Sequence, residues 1–243
     1  MTAGAQTRGG AQANVRRLRD GTLSPFGVRH RTAREAVVAS QRGRLLEAIV
    51  KAVAAKGYEA TTVADVVARA GVSRRTFYEQ FRDKEACLLE AFEAGLAFLL
   101  GRIEQELAAR TPATWEEHVR IRFETYLATL AVEPEFARVL HVDFPAAGAR
   151  ARARWAELLK SLVVLYRSLH GLARAAHPDT PDVSDAALLL LVGGFPAVVR
   201  QYLESDRVAE LPSIAPQLSS LAIAILSGAA GAAAASTAQV SSA

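Results

Sequence analysis

Residues 70–81 read AGVSRRTFYEQF, and the reading of this stretch decides the fold. Gly71 supplies the left-handed backbone that a sharp turn between two helices needs, and no Cβ opposes it. Ser73 offers its hydroxyl as N-cap to a following helix. At about 100° per residue, Phe77 and Phe81 fall on one face, while Arg75 and Glu79 point away from it, flanked by Thr76 and Tyr78. The aromatics therefore anchor and the polar set is displayed. An arginine, two hydroxyls and a carboxylate on a short rigid helix suit a reader of the DNA major groove. Arg75 can engage the two acceptors of guanine, and Thr76 and Tyr78 can reach phosphates or a thymine methyl. Glu79 has two readings, acceptance of a cytosine amino hydrogen or an i, i+4 bond back to Arg75, and the local bond is preferred.

Upstream, Leu45, Leu46, Ile49, Val50 and Val53 recur at helical spacing, predicting a first helix over 37–56. Gly57 suits its C-terminal cap. Thr61 or Thr62 then caps a second helix whose inner face is Val63, Val66, Val67 and Ala70. It is barely two turns long and depends on packing against its neighbours. Downstream, six further helices are expected, over 83–109, 113–131, 133–143, 148–176, 183–204 and 213–228. They are separated at Thr111-Pro112, Glu133-Pro134, Phe144-Pro145, the run HPDTPD at 177–182 and Leu211-Pro212-Ser213.

Composition agrees. The chain has 243 residues, is 51% hydrophobic and holds few aromatics, which favours an all-α protein rich in Ala, Leu and Val. The single cysteine, Cys87, can form no internal disulfide and no thiolate metal site, so a cytoplasmic setting is expected. The opening MTAGAQTRGG has no apolar run of signal-peptide type. Charge is unevenly placed. Residues 1–44 carry nine arginines against Asp20 and Glu35, a local +7 that leaves the rest at −3 within the overall +4. A polyanion partner at this end is one reading, and a solvated arm is the other.

The run 45–92, LLEAIVKAVAAKGYEATTVADVVARAGVSRRTFYEQFRDKEACLLEAF, resembles the N-terminal DNA-binding domain of the TetR family of bacterial transcriptional regulators. The likeness covers helix one, the Gly57-Tyr58 pair, the TTV start of helix two, the AGVS turn, the TFY recognition helix and the F-x-D-K-E opening of helix four. It implies that Thr62 and Ser73 bond phosphates at helix N-termini, that Arg74, Arg75 and Thr76 face bases and that Tyr78 presses on the backbone. Lys84 would neutralise a phosphate, and Phe77 and Phe81 would be core.

The organisation expected is thus a flexible basic arm over 1–35 and a three-helix, helix-turn-helix DNA-binding domain over 36–84. A C-terminal helical bundle for ligand sensing and dimerisation would follow over 85–228, then a flexible tail over 229–243. Arg29, Arg31, Arg34 and Arg42 would add salt-dependent affinity from the arm. The run 186–199, AALLLLVGGFPAVV, is apolar around most of its circumference yet short for a bilayer, so it is expected to be buried by protein and no membrane partner is expected. Resemblance implies that the last two helices pair with their copies, making a homodimer that reads a near-palindromic operator in double-stranded DNA.

A small apolar or amphipathic ligand would release a repressor of this kind from its operator. Candidate pocket residues are Trp115, His118, Arg122, Phe123, Tyr126, His141, Trp155 and Tyr166, aromatic or polar positions on otherwise apolar helices. The alternative is an architectural or co-regulatory DNA-binding protein of the same fold without a ligand. No cofactor and no metal is expected, since the five histidines show no ligating signature and His141 and Asp143 sit two apart. Nor is an enzyme expected, for the chain has no G-x-S-x-G, Walker or H-E-x-x-H run.

Overall fold

The computed structural model describes residues 33–228, with side chains from residue 40; most of the expected arm and the tail over 229–243 lie outside the described residues. Among them are nine α-helices and no strand. In chain order these are α1 (Ala33–Lys56), α2 (Val63–Ala70), α3 (Arg74–Gln80), α4 (Lys84–Arg110), α5 (Trp115–Val132), α6 (Pro134–Arg138), α7 (Ala149–Ala176), α8 (Asp185–Glu204) and α9 (Ala215–Leu226). Between α6 and α7 lie a π-helical turn, Val139–Asp143, and a single 3₁₀ turn, Phe144–Ala146. The helix expected over 133–143 is therefore shorter as an α-helix. Its last turn widens, with the Phe144 N–H reaching back to the Val139 carbonyl, just before Pro145, which has no N–H to continue the ladder.

The described chain divides into two compact units. One runs to Arg102 and takes in Val132–Arg152, and the other comprises Ile103–Ala131 and the chain from Ala153 onward. In the first unit, Leu45, Ile49 and Val53 of α1, Val66 of α2, Phe77 of α3 and Leu88 and Phe92 of α4 are all fully enclosed. Phe92 stacks flat on Phe144, with centroids 3.8 Å apart. The ring of Phe136 lies against α4 at Gly95, where an added Cβ would stand 2.0 Å from it.

Arg42 belongs to this packing rather than to a DNA-seeking arm. Its guanidinium forms a two-pronged pair with Glu90 and lies 4.5 Å over the Phe81 ring. The sequence expectation for Arg42 is corrected accordingly: a carboxylate 48 residues away holds it. Arg29 and Arg31 lie outside the described residues, and so does the side chain of Arg34.

In the second unit α5 is largely enclosed, exposing the strip Glu117, Arg120, Glu124 and Ala128 before its last residue, Val132, which is also exposed. Phe123 meets Phe195 of α8 edge to face at 4.8 Å. Helix α8 buries Leu188, Leu191, Val192, Phe195 and Val199, yet Leu189 and Leu190 are 63% and 69% exposed. Within one chain this run is covered on one side only, so the burial by protein expected of it is incomplete there. By length and composition alone, Asp185–Glu204 and Val208–Leu226 are apolar enough to cross a membrane.

Candidate nucleic-acid interface

Two very short helices cannot hold a recognition surface by propensity alone, so the local chemistry that fixes their ends matters. Gly57 ends α1 with φ +80°, donating its N–H to the Val53 carbonyl at 2.7 Å. Thr62, not the buried Thr61, caps α2. The Thr62 hydroxyl accepts from the Asp65 N–H at 3.2 Å, and the Asp65 carboxylate accepts from the Thr62 N–H at 2.7 Å, a reciprocal capping box. Lys56 also reaches Asp65 at 2.6 Å. Hydrogen bonding from Lys56, then from Thr62, holds the Asp65 carboxyl well below the usual carboxylate range.

Gly71 closes α2 in the left-handed region at φ +63° and ψ +41°, as the turn requires. Ser73 then caps α3, its hydroxyl accepting the Thr76 N–H at 3.0 Å and lying 2.9 Å from the Thr76 hydroxyl. Phe77 is fully enclosed and tilts against Phe81 at 5.7 Å, so the anchors of α3 lie on the protein side.

The opposite edge is open. Thr62, Ser73, Arg74, Arg75 and Tyr78 are exposed and Thr76 is half-buried, so the structure brings these six residues to the ends and outer face of the two capped helices. The Arg75 side chain is 88% exposed and carries an i, i+4 bond to Glu79 at 2.9 Å. That exposed pair is worth little and opens readily to another acceptor. Tyr78 is 52% exposed and braces its ring edge-on against Phe77 at 5.4 Å, which fixes the aromatic plane while leaving the hydroxyl free to meet a backbone.

Lys84, the seventh residue implied by resemblance, is placed differently. Its ammonium lies 2.8 Å from the Tyr58 and Thr61 carbonyls, 3.3 Å from that of Glu59 and 4.2 Å over the Tyr58 ring. Its neighbours are also committed internally. Asp83 accepts the Ala86 N–H at 2.7 Å and the Arg150 guanidinium at 2.7 Å. Glu85 caps the start of α7, accepting the N–H of Arg150 at 3.0 Å and the Arg150 Nε at 2.8 Å. No local signal in the sequence announces this, because Arg150 lies 65 or more residues from its partners.

Of the pocket candidates, Trp115, His118, Arg122, Phe123 and Tyr126 lie on α5 and Trp155 and Tyr166 on α7, all in the second unit. His141 does not join them, being buried in the π-helical turn of the first unit. Trp115, His118 and Arg122 fall three and four residues apart on one face, and each carries a buried ring or guanidinium nitrogen facing no hydrogen-bond partner. Arg122 also reaches Glu104 at 3.0 Å. Burial, then the Arg122 charge, lowers the His118 pKa below its ordinary value, which favours the neutral ring. Burial pushes the phenols of Tyr126 and Tyr166 far up, so both remain protonated donors.

Residues 45–91 match the family model described as bacterial regulatory proteins, tetR family. The chain is 29% identical over 90 residues to YerO of Bacillus subtilis (strain 168), an uncharacterised HTH-type transcriptional regulator, covering 35% of this chain and 31% of that one. It is 25% identical over 117 residues to the fatty acid metabolism regulator protein of the same organism, covering 48% of this chain and 59% of that one. The alignments thus span less than two thirds of either relative. Among solved structures, FadR from Bacillus subtilis in complex with stearoyl-CoA superposes with a TM-score of 0.64 at 20% identity, over 74% of this chain and 96% of that one. FadR from Bacillus halodurans does so at 0.68 and 19%, over 80% of this chain and 96% of that one. At such identities these likenesses speak to the fold, which extends through both compact units, whereas the family match rests on the capped helices described above. Residues 45–91 thus form a helix-turn-helix segment of the kind found in bacterial regulatory proteins of the tetR family.

Proposed function

We propose that this protein is a homodimeric, sequence-specific transcriptional repressor that a small amphipathic ligand releases from a near-palindromic operator. One observation carries the reading. An open edge of Arg74, Arg75, Thr76 and Tyr78 is held on a helix of seven residues whose two ends are fixed by a serine cap and by buried phenylalanines. Thr62 and Ser73 bond phosphates where α2 and α3 present free N–H groups, Arg74, Arg75 and Thr76 meet base edges, and Tyr78 lies on the sugar-phosphate backbone.

One such helix touches too few base pairs to select a site, so two copies must act about 34–36 Å apart. The exposed apolar edge of α8 and Leu221 of α9, 51% exposed, supports that pairing. Among the described residues a Cβ placed on Gly193 or Gly194 would meet nothing within 4 Å, so glycine there suits the close approach of a partner helix. Working on DNA in the cytoplasm, the protein pairs these helices with its own copy instead of inserting them into lipid.

The ligand proposed is a long-chain acyl-CoA or a molecule of that amphipathic class, taken into the second unit by Trp115, His118, Arg122, Phe123, Tyr126, Trp155 and Tyr166. Buried donors on α5 suit a polar head with acceptors, and the surrounding aromatics suit an acyl chain. The likeness to a FadR that holds stearoyl-CoA supports the same class. Release follows only if the ligand binds the DNA-incompetent conformation more tightly than the competent one.

Selection of bound duplexes from a random pool, followed by a release assay with acyl-CoAs of graded chain length, free CoA and the matching fatty alcohols, tests the whole reading. A palindromic consensus released by long acyl-CoAs supports it. Absence of any consensus at low salt overturns it, and a consensus that no amphiphile disturbs removes the ligand.

A further inference from the structure

Helix α7 begins at Ala149, so its N-cap is Gly148, whose carbonyl accepts the Arg152 N–H at 3.1 Å and which has no side chain to cap the turn. The acceptor comes from another helix. Glu85 Oε1, in the first turn of α4, takes the N–H of Arg150 at 3.0 Å and that of Ala151 at 3.3 Å, two of the donors that a helix start leaves without a partner. We propose that Asp83, Glu85 and Arg150 are positioning residues for DNA binding: they latch the start of α7 to the start of α4 and the end of the reader helix α3, so that a shift of α7 is felt at the reader.

The latch is made from both sides. While Glu85 caps α7, the Arg150 guanidinium returns to the other helix, its Nε on Glu85 Oε2 at 2.8 Å and its Nη2 on the two Asp83 oxygens at 2.7 and 2.9 Å. Asp83 in turn caps α4, its Oδ1 accepting the Ala86 N–H at 2.7 Å. Each helix is thus capped by a carboxylate that the same arginine holds. Bonds between charged groups are the stronger class, and the Glu85 side chain is only 17% exposed, so water screens them less than it screens a surface pair. Gly148 sets the approach. Its φ of +114° favours glycine, and a Cβ there would stand 2.9 Å from Glu85 Oε1.

From the latch to the reader the chain is short. Phe81, buried, ends α3, and Asp83 stands two residues on. In the other direction α7 continues past Arg152 into the second unit, where it carries Trp155 and Tyr166. A ligand that displaces α7 must therefore carry the start of α4 with it or break the bonds of Glu85 and Asp83 to the first turn of α7. Either way the two states differ in a defined set of contacts, which a shift between conformations requires.

The test uses the full chain, its Glu85→Ala and Arg150→Gln variants and an operator selected from a random pool, with amide exchange of residues 150–153 followed in each protein, free and at saturating operator. Glu85→Ala removes the acceptor of the Arg150 and Ala151 N–H groups. Their exchange in the free protein should rise about tenfold or more, as expected when bonds to a charged group are lost. Operator binding should slow exchange at the same positions in the parent, because fixing α4 steadies the cap that it carries. In Arg150→Gln, which keeps the backbone cap but loses the fork to Asp83, that slowing should disappear while helical circular dichroism is retained. A cap of merely structural value predicts no effect of operator in either protein. Parental exchange rates in Glu85→Ala, no slowing by operator in the parent, or full slowing in Arg150→Gln each overturn the proposal. Should Glu85→Ala not fold, Glu85→Gln is read in the same way. The operator arm rests on the DNA-binding reading above and the free-state arm does not, so a chain that selects no duplex removes that reading while exchange in Glu85→Ala still judges the latch.

Discussion

Phe77 and Arg75 stand two positions apart on one seven-residue helix and answer to opposite demands. Phe77 has no exposed surface and contributes through burial, so Phe77→Ala should cost about 3–5 kcal/mol of unfolding free energy in denaturant titration. Arg75 is almost wholly solvated, with Glu79 its hydrogen-bond partner. Arg75→Ala should leave stability within about 0.5 kcal/mol while weakening the selected operator by roughly 1–3 kcal/mol and relaxing choice at one base pair. If Arg75→Ala instead destabilises the fold and leaves sequence choice intact, Arg75 is not a base reader. Glu133 illustrates a residue whose cost depends on pH. Burial first, then the charges of Glu135 and Glu47, push its pKa up to about 7 from the ordinary 4.5. The folded state therefore holds this proton more tightly than the unfolded chain. Stability from this group is fully present below about pH 4.5 and declines as pH rises through 7. Glu133→Gln should be more stable than the parent at pH 8, on the order of 1 kcal/mol after allowance for partial solvation, and the advantage should shrink toward pH 5. A pH-independent difference in thermal unfolding would remove the ionisation argument.

At the scale of elements, α4 carries two glycines with opposite meanings. Gly95 faces the Phe136 ring with no room for a methyl, whereas a Cβ on Gly101 would meet nothing within 4 Å. Glycine inside a helix is ordinarily unfavourable relative to alanine. Gly101→Ala should therefore stabilise by roughly 0.5–1 kcal/mol, while Gly95→Ala should destabilise by about 1–3 kcal/mol through overpacking. Equal signs in a denaturant titration would contradict the packing of Phe136 on α4. The same contrast explains what was legible in advance. Helix ends marked by Pro, Gly or a capping hydroxyl emerged from the sequence: 148–176 against Ala149–Ala176, and 183–204 against Asp185–Glu204. The displayed edge of α3 was legible for the same reason, since a turn glycine, a serine cap and an i, i+4 aromatic pair are all local. What was not legible depends on distant partners. Arg42 reads as one more arm cation until Glu90, 48 positions on, is seen to hold it. Nor does the sequence announce the carbonyls 23 to 26 residues upstream that Lys84 bonds. Gly95 carries no sign of Phe136, and His141 looks like its fellow pocket candidates until the fold puts it in another unit.

At the scale of the whole molecule, the open question is what covers the apolar edge of α8 and α9. Leu189, Leu190 and Leu221 are more than half exposed, and from Leu211 onward the sequence has no charged residue. Such an edge on an isolated chain is an association site or a liability. Three occupants are physically available: a second copy, a lipid surface, or nothing specific, with aggregation as the result. A second copy fits the small residues best, because Gly193 and Gly194 let two helix backbones approach closely, a gain that fluid acyl chains do not need. Twofold symmetry doubles every substitution, so a single charge placed here acts twice in one interface. Leu190→Glu should therefore convert a dimer into a monomer in sedimentation at micromolar concentration, with helical circular dichroism retained because the Leu190 side chain stands mainly in solvent. Operator affinity should fall by orders of magnitude, since each monomer grips one half-site alone. Flotation with anionic vesicles separates the lipid alternative. Parent protein that stays with the aqueous fraction and sediments as a dimer supports pairing of copies, whereas parent protein that floats and loses this on Leu190→Glu would assign the edge to a bilayer surface.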